Sequence, residues 1–191
     1  MRLRAALVNL VRSALILLLC GAPPAIAQEA AVDQQLDQAF QTLQNTSNRG
    51  AAKRAERRII QLWLESGSDT VDLLMSWALR AIDQEDFALA LDYLDRIIML
   101  KPDYAEGWNK RATVYFLIDD YGKAITDIQQ VLALEPRHFG ALSGLGMMLS
   151  EIGRSEQAIE VFEEALVIDP LLENVREALQ SLLDETAGTE I

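Results

Sequence analysis

The sequence predicts an all-α solenoid built from repeated helix–turn–helix units and closed by a C-terminal capping helix. Three prolines, Pro102, Pro136 and Pro170, are equally spaced along the chain. Each proline ends a stretch with the same order of apolar and charged residues, as in residues 97–102 (IIMLKP) and 131–136 (VLALEP). A repeat of this period is typical of stacked helical hairpins, in which each unit buries its apolar face against its neighbours.

Each unit is predicted to contain two amphipathic helices and a short turn. The units are residues 69–102, 103–136 and 137–170. In the middle unit, apolar and small residues recur every three or four positions, at Trp108, Ala112 and Tyr115 and again at Ala124 and Ile128. This spacing places one buried stripe on each helix.

Two further segments flank the three units. Residues 28–68 contain a helix pair, at 32–43 and 51–64, which is a degenerate repeat or an N-terminal cap; the pattern favours a degenerate repeat. Residues 171–184 form one amphipathic helix without a following partner, which indicates a cap over the last unit. We expect the small and polar residues 185–191 to be disordered.

Residues 1–27 have the pattern of a cleaved secretory signal. Arginines precede a short apolar run, and Ala25 and Ala27 supply a cleavage site before Gln28. The apolar run is shorter than the ~20 residues that span a bilayer. Cys20 follows Leu18 and Leu19 rather than small residues, so we interpret it as part of the signal and not as a lipoprotein acylation site. We therefore expect a periplasmic protein without membrane contact after cleavage.

The units resemble tetratricopeptide repeats. That family's pattern of apolar, small and aromatic residues ending in proline is matched best by Trp108, Ala112, Tyr115, Ala124 and Pro136, and by Leu145, Gly146, Ala158, Phe162, Ala165 and Pro170. The resemblance covers positions 69–170 and implies a right-handed solenoid that binds other proteins. Arg111 stands where the family usually has leucine. We predict that it pairs with Asp127, because a half-buried guanidinium needs an acceptor.

The resemblance also implies that the first helix of each unit lines a concave groove. The predicted partner-binding residues are Met75, Leu79, Ile82, Asn109, Thr113, Phe116, Leu117, Ser143, Met147 and Ser150. Members of the family that clamp a terminal carboxylate use Lys and Arg with Asn, and only Asn109 fits that set. We expect a groove that takes a helix or an extended segment with apolar side chains.

Four basic residues lie together on one predicted helix: Lys53, Arg54, Arg57 and Arg58. They lie opposite the apolar stripe of that helix, so a solvated face accounts for them. The alternative is a docking patch for an acidic partner or for anionic lipid.

Composition and motifs argue against several other functions. The net charge of −12 and the pI near 4.5 argue against binding to nucleic acid. His138 is the single histidine, so no histidine-based metal cluster or catalytic triad can be built, and we interpret it as a turn residue near a helix start. No phosphate loop or serine-nucleophile motif occurs. We expect no cofactor, no metal and no enzymatic activity.

The sequence thus predicts a periplasmic adaptor or scaffold whose protein partner is unknown. Two alternatives stay open. One is a self-assembling structural component, since repeat arrays stack end to end and a homo-oligomer would result. The other is a chaperone-like accessory of envelope assembly or secretion.

Overall fold

The computed structural model of the protein describes the backbone at positions 24–188 and the side chains at positions 31–186. Within that range the chain forms nine α-helices and no strand. They are α1 Pro24–Asn45, α2 Arg49–Leu64, α3 Asp69–Asp83, α4 Phe87–Leu100, α5 Ala105–Leu117, α6 Tyr121–Leu134, α7 Phe139–Glu151, α8 Ser155–Ile168 and α9 Glu173–Gly188. The prediction of an all-α fold is confirmed.

The chain divides into two units, residues 1–37 and residues 38–191, and the second contains the end of α1 and all later helices. In the second unit, α3–α4, α5–α6 and α7–α8 are the three helical hairpins. Their helices approach closely because small residues lie where they cross. Ala90, Ala124 and Ala158 are completely buried, and a Cβ atom at Gly146 would overlap the Phe162 ring.

The turns inside the three hairpins share one backbone geometry. Glu85, Asp119 and Gly153 occupy the same position in successive units, and all have a positive φ, of 58°, 60° and 76°. Only the third is glycine, the residue that adopts this conformation without steric cost. In the first two turns the next residue, Asp86 or Asp120, caps the following helix through its carboxylate.

Helix α9 covers the last hairpin by packing against α8. It begins at Glu173 and continues through Gly188, so residues 185–188 are helical, whereas the sequence predicts a disordered tail. The helix continues because Thr186 still bonds the carbonyl groups of Leu182 and Leu183. Residues 189–191 lie outside the described range, as do residues 1–23, which hold Cys20 and most of the predicted signal. Helix α1 begins at Pro24, inside the predicted signal.

Helix α2 contacts α5. The Tyr104 hydroxyl donates a hydrogen bond to the Leu64 carbonyl at 3.0 Å. The Trp63 ring stacks on His138 with centroids 4.0 Å apart. Trp63, near the end of the apolar stripe of α2, thus contacts the third unit, whereas Leu64 contacts the second. The interpretation of residues 28–68 as a degenerate repeat stays a prediction.

Candidate functional site

A cavity of about 250 Å³ opens between α5 and α7. Its lining is mostly apolar and consists of Asn109, Ala112, Thr113, Phe116, Ile128, Gly140, Gly144, Met147 and Met148. Four of these, Asn109, Thr113, Phe116 and Met147, are among the predicted groove residues. The cavity is large enough for one large apolar side chain and has few polar groups that would bind water.

Gly144 explains why this space is open. A Cβ atom at Gly144 would meet no atom of the described residues within 4 Å, although the glycine lies in the middle of α7. Glycine in a helix interior costs about 1 kcal/mol relative to alanine. The sequence pattern does not predict the role of Gly144, because the cavity results from a side chain that is absent.

The other predicted groove residues lie elsewhere. Met75 is buried in the core of the first hairpin, and Leu79 and Ile82 pack against the same core. Ser143 is buried and donates its hydroxyl hydrogen to the Phe139 carbonyl at 2.7 Å. Leu117 is exposed and Ser150 half-buried, and neither borders the cavity. The described residues of the first hairpin therefore contribute no lining to the cavity.

Arg111 joins two hairpins beside the cavity wall. Its Nε and Nη2 atoms each donate to one carboxylate oxygen of Asp127 at 2.7 Å, which confirms the predicted pair. Its Nη1 atom also donates to Asp95 of α4 at 2.7 Å. The hydrogen bond to Asp127 is the main cause that raises the pKa of Arg111. The sequence does not predict the contact with Asp95, because it connects different units.

His138 is a turn residue at the start of α7, as predicted, but it is also the centre of a buried polar cluster. Its Nδ1 atom accepts a hydrogen bond from the Ala141 amide at 3.0 Å, so the ring proton is on Nε2. Nε2 lies 3.1 Å from Glu106 Oε2 and donates to it. Lys110 binds the other Glu106 oxygen at 2.8 Å.

The charge state of Glu106 depends on these neighbours. Burial alone would raise the pKa of Glu106, but the hydrogen bond from His138 and the charge of Lys110 hold it below its ordinary value. Glu106 therefore remains ionised and connects α5 to the start of α7. The sequence does not predict this cluster, because Glu106 and His138 lie in different units and neither belongs to the apolar pattern.

The four basic residues of α2 are all exposed, and Arg58 lies 3.9 Å from Glu65. Their role as a docking patch stays a prediction. Across the described residues, no group of three or more His, Cys, Asp or Glu side chains is placed to hold a metal ion. None of the described helices is long and apolar enough to cross a membrane.

Comparison with known proteins identifies the family. Two tetratricopeptide repeat models match residues 78–138 and 118–173. A TPR repeat-containing protein of Rhizobium etli is 43% identical over 155 residues, which are 81% of this chain and 76% of that protein. The chain belongs to the tetratricopeptide repeat family.

Another curated protein is similar at lower identity, and two solved structures share the fold. Small glutamine-rich tetratricopeptide repeat-containing protein 2 of Mycosarcoma maydis is 24% identical over 110 residues, which are 58% of this chain and 31% of that protein. The first TPR domain of RPAP3, solved with an HSP90 peptide, has a TM-score of 0.59 at 20% identity and covers 61% of this chain and 93% of its own. The crystal structure of MamA has a TM-score of 0.59 at 21% identity, with 74% and 86% covered.

Proposed function

We propose that the protein is a non-enzymatic adaptor that binds a segment of a partner protein through the cavity between α5 and α7. The observation that carries the proposal is the open space over Gly144, bordered by Phe116 and Met147. The space between packed helices is normally filled by side chains. Entry of an apolar group into an open apolar cavity is therefore favourable in free energy.

The lining and the net charge define the chemistry of the partner segment. One large apolar side chain would fill the cavity. The side-chain oxygen atoms of Asn109 and Thr113 at its edge would accept hydrogen bonds from the backbone of the segment and so orient it. The chain carries a net charge of −12, which favours basic residues around that apolar anchor. The RPAP3 domain was solved with a bound peptide, which supports peptide binding by this fold.

An acidic C-terminal peptide is not the ligand we propose. Such a ligand needs cationic side chains at the site, and the described residues that line the cavity include none. Lys110, next to Asn109 in sequence, is already paired with Glu106. The Asn109 amide likewise donates to Glu106, at 3.0 Å.

We further propose that the adaptor acts in the periplasm, on the basis of the arginines, the apolar run and the Ala25–Ala27 pattern near its N-terminus. The test is to express the chain from its own initiating methionine, to fractionate the cells, and to sequence the N-terminus of the product. A periplasmic protein that begins at Gln28 is expected. A full-length cytoplasmic product would contradict the proposal.

The binding proposal is tested by a photo-crosslinking amino acid at Thr113, which is exposed at the cavity edge. We expect a discrete crosslinked partner that disappears in Phe116→Asp plus Met147→Asp. The matched control is Val167→Asp, which adds a charge at a residue that is 74% exposed and belongs to another hairpin helix, α8. Equal crosslinking in wild type and the cavity variant would refute the proposed site.

A further inference from the structure

The first hairpin exposes large apolar side chains on one face. Leu73 is 50% exposed, Trp77 38% and Leu89 39%. Trp77 and Leu89 border a second, shallower cavity of about 310 Å³, together with Arg80, Ala81, Gln84 and Tyr93. Aromatic and apolar residues grouped around an arginine are typical of protein interfaces.

The equivalent face of the second hairpin is covered by the preceding one. Gly107 is the counterpart of Leu73 in the next unit, and a Cβ atom there would lie 2.9 Å from Ile97 of α4. Arg111 is the counterpart of Trp77 and reaches Asp95 of α4. The positions of Leu73 and Trp77 are therefore those at which a hairpin meets its predecessor.

Among the described helices, no preceding hairpin covers this face of α3. Helix α2 packs against α5 instead, as the bond between Leu64 and Tyr104 shows. At the other end of the array α9 packs against α8, so the face of α8 that a following hairpin would contact is already covered and head-to-tail stacking through it is disfavoured. A twofold arrangement, in which two first hairpins face each other, is the one that lets this face of both copies be buried.

The charges on α3 match such an arrangement. Asp69, Leu73, Trp77 and Arg80 follow at helical spacing and so lie on one side of the helix. Arg80 bonds the Ser76 carbonyl at 3.2 Å, and neither Arg80 nor Asp69 has an ion-pair partner among the side chains that the structure describes. If two copies of α3 run antiparallel about an axis between Leu73 and Trp77, Asp69 of each copy meets Arg80 of the other.

We propose that the protein forms a twofold dimer through its first repeat, with the α3 helices of the two copies antiparallel. The interface consists of two Leu73–Trp77 contacts and two Asp69–Arg80 pairs, with Leu89 and Tyr93 beside them. It leaves the cavity between α5 and α7 open in both copies, so a dimer would present two partner sites and bind a bivalent partner with avidity.

The test measures the mass of the chain, expressed from its own initiating methionine, by sedimentation equilibrium from about 1 to about 500 µM, a range that covers interfaces of modest size. We expect a concentration-dependent dimer that Leu73→Glu plus Trp77→Glu converts to a monomer with unchanged helical circular dichroism. Val167→Glu is the matched control and should remain dimeric. A monomer at the highest wild-type concentration, or a dimer that persists in the double variant, would overturn the proposal.

Charge reversal keeps the test decisive even where a variant is less stable. Asp69→Arg and Arg80→Asp should each raise the dimer Kd by about tenfold, because the twofold axis converts both pairs into like-charge contacts at once. Mixing the two single variants should restore the mass of a dimer, since every pair then joins opposite charges. Failure of the mixture to associate more tightly than either variant alone would also overturn the proposal.

Discussion

Gly144→Leu should abolish partner binding and at the same time make the protein more stable. The added side chain enters the cavity between α5 and α7, where a Cβ atom meets no described atom within 4 Å. Replacing a helix-interior glycine gains about 1 kcal/mol in helix propensity, and burial of apolar area in the cavity adds a comparable amount. For a chain of this size, about 1 kcal/mol corresponds to about 2–4 °C in Tm.

The assay combines differential scanning calorimetry with the crosslinking measurement at Thr113. A rise in Tm of roughly 4–8 °C is expected, from a gain of about 2 kcal/mol, together with loss of the crosslinked partner. Gly144→Ala is the matched control, because it gains the helix propensity but leaves most of the cavity open. A lower Tm for Gly144→Leu would contradict the described packing, and retained binding at a higher Tm would show that the partner does not use the cavity.

Three other substitutions test separate features of the fold. Arg111→Met leaves the Asp127 carboxylate buried without its partner, so the free energy of unfolding measured in urea should fall by about 3 kcal/mol. Adding Asp127→Leu to the same chain should largely restore it. An Arg111→Met variant as stable as wild type would disprove a structural need for the charge. Glu85→Gly keeps the positive φ but relieves the strain of a residue with a side chain there, so it should raise Tm. Gly153→Ala should lower Tm, because it introduces the same strain; opposite signs would contradict the shared turn geometry. Glu106→Gln tests acid sensitivity: because the folded-state pKa of Glu106 is below its ordinary value of 4.5, its stabilisation is present above that pH and is lost as pH falls through the folded pKa. The difference in unfolding free energy between wild type and Glu106→Gln should therefore shrink below about pH 4.5, and a constant difference from neutral pH to well below that value would refute the assignment.

The repeat could be predicted from sequence because its physics is local and periodic. Pro102, Pro136 and Pro170 define the units, and the spacing within one unit places Arg111 opposite Asp127. Contacts between units were not predictable in this way, since the contact from Arg111 to Asp95 depends on how two hairpins pack.

The candidate site was only half predicted, for two physical reasons. Phe116 and Met147 were predicted because the resemblance to tetratricopeptide repeats implies that these positions of the first helix line a groove, whereas Gly144 contributes by lacking a side chain. The stacking of Trp63 on His138 joins residues that are far apart in the chain, and a periodic sequence pattern does not predict such a contact.

The lateral position of α2 changes how the array should come apart. In an ordinary solenoid each unit touches only its neighbours, so terminal units can fray independently. Here Arg49 at the start of α2 forms an ion pair with Glu173 of α9, and Trp63 near its end stacks on His138. Helix α2 therefore connects the N-terminal segment to the C-terminal part of the array, and unfolding of the C-terminal hairpin also breaks the contacts of α2. We expect all-or-none unfolding, and slow folding because these contacts join residues that are distant in sequence.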